Sequence, residues 1–198
     1  MLVQFRLTFA RLVRLARSDR DVLNEVRRDP GAMVPAVVVA VCSMLLYGVG
    51  GWLWWVRDDF SDAGTLFVKS VLIGTLFAVA LWLVWLLVVY LVLLQVARVM
   101  APVDQLLRGA GFAATPLAVG LLMVVPGVSL GVGILALGGW LLLTQVVIER
   151  CAPRAGGVAT LANLAGFGVW LVVMSLLALG DDPLVPGAFL VEALSSGG

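Results

Sequence analysis

Residues 109–148 read GAGFAATPLAVGLLMVVPGVSLGVGILALGGWLLLTQVVI, forty positions without one charge. The run is too long for a single crossing of a hydrocarbon core about 30 Å thick. Pro126-Gly127 stands near its middle and supplies a turn. The stretch therefore divides into one span at 111–125 and another at 128–148. The first of these is short and carries Pro116.

Working outward, three more apolar stretches have the length of a crossing: 34–56, 66–97 and 157–179. The whole chain of 198 residues is 62% hydrophobic and 13% charged, where a soluble domain carries roughly 25% charge. The reading is an all-α polytopic membrane protein. It has five transmembrane helices, 34–179, after an amphipathic amino-terminal segment, 1–33, and before a tail, 180–198. The first apolar run follows an Arg-rich segment and lacks a convincing cleavage site, so it reads as a retained helix.

The cations test this arrangement. With five spans, Arg6, Arg11, Arg14, Arg17, Arg20, Arg27, Arg28, Arg98, Arg108, Arg150 and Arg154 lie on one side, and only Arg57 and Lys69 on the other. The positive-inside rule then places the amino terminus in the cytoplasm and the carboxyl terminus outside. If 109–148 crossed once, the balance would fall to nine cations against four. Trp52, Trp54 and Trp55 mark the outer headgroup level of the first span. Lys69 snorkels toward the same level.

On a helical wheel Leu2, Phe5, Phe9, Leu12, Val13 and Ala16 share one face and Arg11, Arg14 and Arg17 lie opposite. That pattern suits a helix at the membrane surface, with these arginines toward anionic headgroups. The apolar face can equally pack on the protein's own spans. Ser18 and Asp21 resemble a capping box opening a second short helix through Val22, Leu23 and Val26, which ends at Asp29-Pro30-Gly31.

Within the spans, Ser70, Gly74 and Ala78 form a small-residue stripe. Gly127 and Gly131 make a GxxxG, followed by Gly133, Gly138 and Gly139, and Ala162 with Gly166 continues the theme. Asn163, the amide well inside the fifth span, is expected to hydrogen-bond across the bundle. Asp104 and Arg108, four apart, are spaced for a helical ion pair, and Glu149 sits beside Arg150.

The chemistry is sparse. There is no histidine, and Cys42 and Cys151 suggest neither a bridge nor a metal site. No deep carboxylate pair or nucleophile with its base is visible, and no Gly-rich phosphate loop. No cofactor and no nucleic-acid partner is expected, and the chain does not read as an enzyme. Gln95, Gln145, Thr144, Thr115 and Asn163 are too few to mark a clear transport path, although a neutral one past Gln145 and Asn163 stays open.

Two segments carry a resemblance. One is RLARSDRDVLNEVRRDP at 14–30, and the other is PVDQLLRGAGFAATP at 102–116. With five spans they resemble bacterial members of the Yip-domain family, named for proteins that interact with Ypt/Rab GTPases. The resemblance implies a five-helix bundle with a cytoplasmic amino terminus, and a non-catalytic protein that acts through lipids or membrane-protein partners, itself included. It marks Asp104, Gly109, Gly111, Phe112, Thr115 and Pro116 as a partner or hinge site. The chain departs from the eukaryotic members in lacking their Asp-Leu-Tyr-Gly-Pro string and long amino-terminal region, so Rab binding does not carry over. Physically, Pro116 should loosen its helix, Thr115 can satisfy a freed carbonyl, and Gly109 and Gly111 should let the chain bend into the bilayer. The expected function is a membrane-organising or scaffold protein. A small transporter or channel subunit is the alternative.

Overall fold

The structure is a computed structural model, and it describes residues 2–57, 63–125 and 127–178, without the side chains of Leu2, Val3, Phe5 and Arg57. Asp58, Asp59, Pro126 and the tail with Asp181, Asp182 and Glu192 lie outside the described residues. Five helical stretches are long and apolar enough to cross a membrane: Pro30–Val56, Ala63–Gln95, Val103–Val124, Ser129–Cys151 and Gly157–Ala178. No strand occurs among the described residues. The chain is an all-α, membrane-embedded bundle.

Two short helices precede the spans. Helix α1 runs Leu2–Ala16 and α2 runs Asp21–Arg28. Ser18 joins them with φ 66°. Its amide donates to the Leu15 carbonyl at 2.9 Å and the Asp19 amide donates to that of Arg14 at 3.1 Å, which is a Schellman stop. Ser18 is therefore a C-terminal residue of α1, and the expected capping box is not formed. Asp19 Oδ1 instead accepts from the Asp21 amide at 3.0 Å. Helix α2 ends where Asp29 turns extended before Pro30. It buries Val22, Leu23 and Val26 completely, as its spacing predicts.

The first span is α3, Met33–Arg57. The second begins as α4, Ala63–Phe67, widens through a π-helical stretch at Val68–Ile73 and continues as α5, Gly74–Gln95. The Gly74 amide reaches back to the Lys69 carbonyl, five residues away, so the helix holds one extra residue that the periodicity does not reveal. The third span comprises α6, Val103–Ala113, and a 3-10 stretch, Thr115–Val124. The fourth and fifth are α7, Ser129–Cys151, and α8, Gly157–Ala178.

The expected short third span, 111–125, is corrected. Helix α6 already starts at Val103, eight residues earlier than expected. Its eleven residues rise about 16 Å. The ten residues that follow, wound at ~2.0 Å each, add about 20 Å. The tighter winding lengthens the segment enough to cross a ~30 Å core. This span is also the central one: 56% of it is buried, against 33–39% for the others. It packs between α3 and α7, while α5 packs along α8.

Candidate functional site

Segments far apart in sequence meet at the amino-terminal end of the bundle. Helix α2 lies across α6 and reaches α7. Arg27 Nη1 donates to Gln105 Oε1 at 3.2 Å and to the Arg150 carbonyl at 2.7 Å. Arg150 answers by donating to the Arg20 carbonyl, with Asp21 Oδ1 3.7 Å from its guanidinium. These bonds fasten the segment before the first span to the ends of the third and fourth. The three Arg-rich segments assigned to one side by charge thus share one end of the structure.

Of the three arginines read as a surface-facing set, Arg11 is turned inward. It is 7% exposed, and its Nη2 donates to Asp29 Oδ2 at 2.8 Å. Arg14 is half-exposed and reaches Asp19 at 2.8 Å and Glu25 at 2.9 Å. Arg17 is exposed. The inward face of α1 is mixed: Arg11 and Leu15 are buried, while Phe9, from the expected apolar face, is 62% exposed. The Asp29 carboxyl is held below its ordinary value, first by the Arg11 hydrogen bond. The Gly31 amide and the charges of Arg11 and Arg108 assist, and partial desolvation opposes them.

The family-like motif lies along the third span. Asp104 Oδ2 accepts from Arg108 Nη2 at 2.5 Å, the pair expected from the spacing, with Arg108 only 5% exposed. Gly109 and Gly111 sit inside regular α6 and bend nothing, so their expected role is corrected. A Cβ on Gly109 would stand 2.5 Å from Val147, and one on Gly111 would stand 2.5 Å from the Ala36 carbonyl oxygen. They are glycines because α7 and α3 come that close. Phe112 is fully buried. Thr115 Oγ1 donates to the Phe112 carbonyl at 2.6 Å. Pro116 faces Gly139, where a Cβ would lie 3.0 Å from the proline ring. The motif is thus where the third span closes on its neighbours.

The small-residue reading holds unevenly. Ser70 Oγ donates to the Gly48 carbonyl at 3.1 Å, and Gly166 leaves room for Trp85, whose Cδ1 would be 2.0 Å from an added Cβ. Gly131 and Gly138 face open space, so the GxxxG is not a contact within this chain. Gly127 serves the turn instead, with φ 75°.

The polar residues of the fourth and fifth spans also meet. Asn163, 2% exposed, donates to the Leu141 carbonyl at 3.1 Å, across the bundle as expected. Gln145 donates to Glu149 Oε1 at 2.8 Å and to Thr160 Oγ1 at 3.0 Å. Thr144 Oγ1, Gln145 Oε1 and Asn163 Oδ1 are buried without hydrogen-bond partners. Sequence reasoning missed an aromatic cluster behind them. Trp85 and Trp140 stand 4.8 Å apart edge to face, Trp140 and Trp170 5.1 Å, and Trp85 and Phe167 5.2 Å. Trp170 also donates to the Ala78 carbonyl at 3.3 Å. The missed signal was tryptophan far from either end of a span, where a headgroup belt has no use for it.

Among the described residues, no group of three or more Cys, Asp or Glu side chains is placed to hold a metal ion. No protein-family model, no curated protein and no solved structure matches the chain.

Proposed function

We propose that this chain is a non-catalytic protein of the cytoplasmic membrane, of the Yip-domain type, that organises membrane or scaffolds partners through its basic end. The observation that carries the reading is the fastening of α2 across α6 and α7 by Arg27 and Arg150. It makes one continuous platform from three segments. That platform holds eleven arginines against six carboxylates, and Arg6, Arg17, Arg28 and Arg154 are exposed on it. Such a surface is drawn to anionic headgroups and to acidic partner surfaces. The amino terminus inside and the carboxyl terminus outside follow from the same asymmetry.

The test is photocrosslinking in native membranes from a photoreactive residue at Val103, which is 55% exposed at the start of α6. Leu107, on the same helix, is half-buried and a poorer position. A reproducible adduct to another protein supports the scaffold reading. Adducts to lipid alone overturn the scaffold and leave membrane organisation, and adducts to the chain alone overturn both.

The second reading, a small transporter or channel subunit, has one observation in its favour: the unpartnered Thr144, Gln145 and Asn163 oxygens between α7 and α8. Buried polar atoms without partners are costly unless water or a passing solute meets them. Asn163→Cys and Gln145→Cys would then react with an aqueous thiol reagent. Unreactive thiols at both positions remove that reading.

A further inference from the structure

A groove of about 720 Å³ opens between α1, the first half of α3 and the 3-10 stretch of the third span. Val34, Val38, Cys42 and Leu46 line it at four-residue intervals, a single apolar stripe along α3. Val34 and Val38 are 71% and 52% exposed there. From Val34 to Leu46 the stripe rises about 18 Å, close to one leaflet of a ~30 Å core. It stops at that depth, although α3 continues to Arg57.

At the α1 end the lining becomes polar, with Gln4 and Thr8. One turn past Thr8 on the same helix, Arg11 gives Nη2 to Asp29 and keeps Nε and Nη1 buried without partners. The groove is therefore mainly apolar for the depth of one leaflet, with Ser43 and Thr115 the polar exceptions, and polar at its α1 end. That is the polarity of a single lipid molecule. A helix from a second copy would be apolar through both leaflets and would need a groove running the length of α3. Water does not fill an apolar stripe of this kind.

We propose that this groove is a binding site for one glycerophospholipid. An acyl chain lies along Val34, Val38, Cys42 and Leu46, and the polar headgroup sits at the Gln4–Thr8 end. The site rests on the membrane reading above and gives it a specific ligand. It stands or falls separately from the protein partner sought at Val103.

The experiment uses the full chain, taken from vesicles of equal palmitoyl-oleoyl phosphatidylglycerol and phosphatidylcholine into mild detergent, with retained lipid measured by native mass spectrometry. One phospholipid per chain is expected. A doubly filled variant, Val38→Trp with Cys42→Phe, lowers retention by about tenfold. No retained lipid, or equal retention by the filled variant, overturns the proposal. If the filled variant does not fold, a photoreactive residue at Leu46 in the otherwise unaltered chain decides after purification. An adduct to phospholipid supports the site, and an adduct to a second copy or to no lipid overturns it.

Discussion

Thr115 Oγ1 donates to the carbonyl oxygen of Phe112 at 2.6 Å. In a continuous α-helix that oxygen would accept from the amide of residue 116, and Pro116 has none. The hydroxyl takes over the bond that the proline removes, just where α6 gives way to the tighter winding.

Thr115→Val therefore leaves a carbonyl without its donor next to fully buried Phe112. The expected loss is about 1–2 kcal/mol of bundle stability, read from unfolding in mixtures of mild detergent and dodecyl sulfate. Thr115→Ser keeps the donor and should stay within about 0.5 kcal/mol of the parent. A loss for Thr115→Ser with none for Thr115→Val would show that the methyl group, not the hydroxyl, matters.

Gly111→Ala and Gly131→Ala should part company. At 111 the added carbon meets the Ala36 carbonyl oxygen at 2.5 Å, and backbone does not move aside cheaply. The expected cost is about 1–3 kcal/mol. At 131 nothing lies within 4 Å, and the gain in helix propensity makes the change neutral or up to ~1 kcal/mol stabilising. The same unfolding titration ranks them, and the reverse order would sink this account of the packing.

Ser18 holds φ at 66°, a left-handed conformation that costs a side-chain-bearing residue about 1–2 kcal/mol. Ser18→Gly relieves that cost. Amide exchange in α1 and α2 should slow several-fold, and Ser18→Val should speed it. If Ser18→Gly speeds exchange, added freedom in the unfolded segment outweighs the relief.

Protonating Asp29 should loosen α1. Its carboxyl is held below the ordinary value of 3.8, chiefly by the hydrogen bond from Arg11. A depressed folded value means that the contribution is fully present above 3.8 and is lost as pH falls through the folded value. Exchange protection of α1 relative to α8 should therefore be flat at neutral pH and fall in acid below 3.8. Asp29→Asn should reproduce the loosened state at neutral pH. Protection that survives acid unchanged would mean that the Arg11–Asp29 pair does not hold the helix.

The five crossings were legible because lack of charge and length are long-range properties that no local detail can mask. Asp104 with Arg108, and Asn163, were legible because a buried polar group at helical spacing needs a partner nearby. The start of α6 was not, because Asp104, Gln105 and Arg108 give that turn the composition of a loop. Arg108 is buried on a helix that α2, α3 and α7 all pack against, contacts between segments far apart in the sequence. Arg11 illustrates the same limit: a helical wheel groups it with Arg14 and Arg17, but Asp29 draws it inward. Gly109 and Gly111 were recognised as special but given the wrong reason, since close approach and backbone freedom leave the same mark in a sequence. The extra residue at Val68–Ile73 left no mark at all.

The wrapping of the third span has a consequence for how the protein is made. This is the least apolar of the five crossings, with mean hydropathy 1.5 against 2.0–2.8 for the others, and it is the most enclosed by protein. Released by itself into lipid during synthesis, it would carry Asp104 and Arg108 toward hydrocarbon with only each other as partners, where a central arginine costs about 2.5–3.5 kcal/mol. Its lasting residence depends on α3, already delivered, and on α7, still to come. A nascent chain that stops at Val124 leaves Gly109 and Pro116 facing nothing, because Val147 and Gly139, the surfaces that close on them, have not yet left the ribosome.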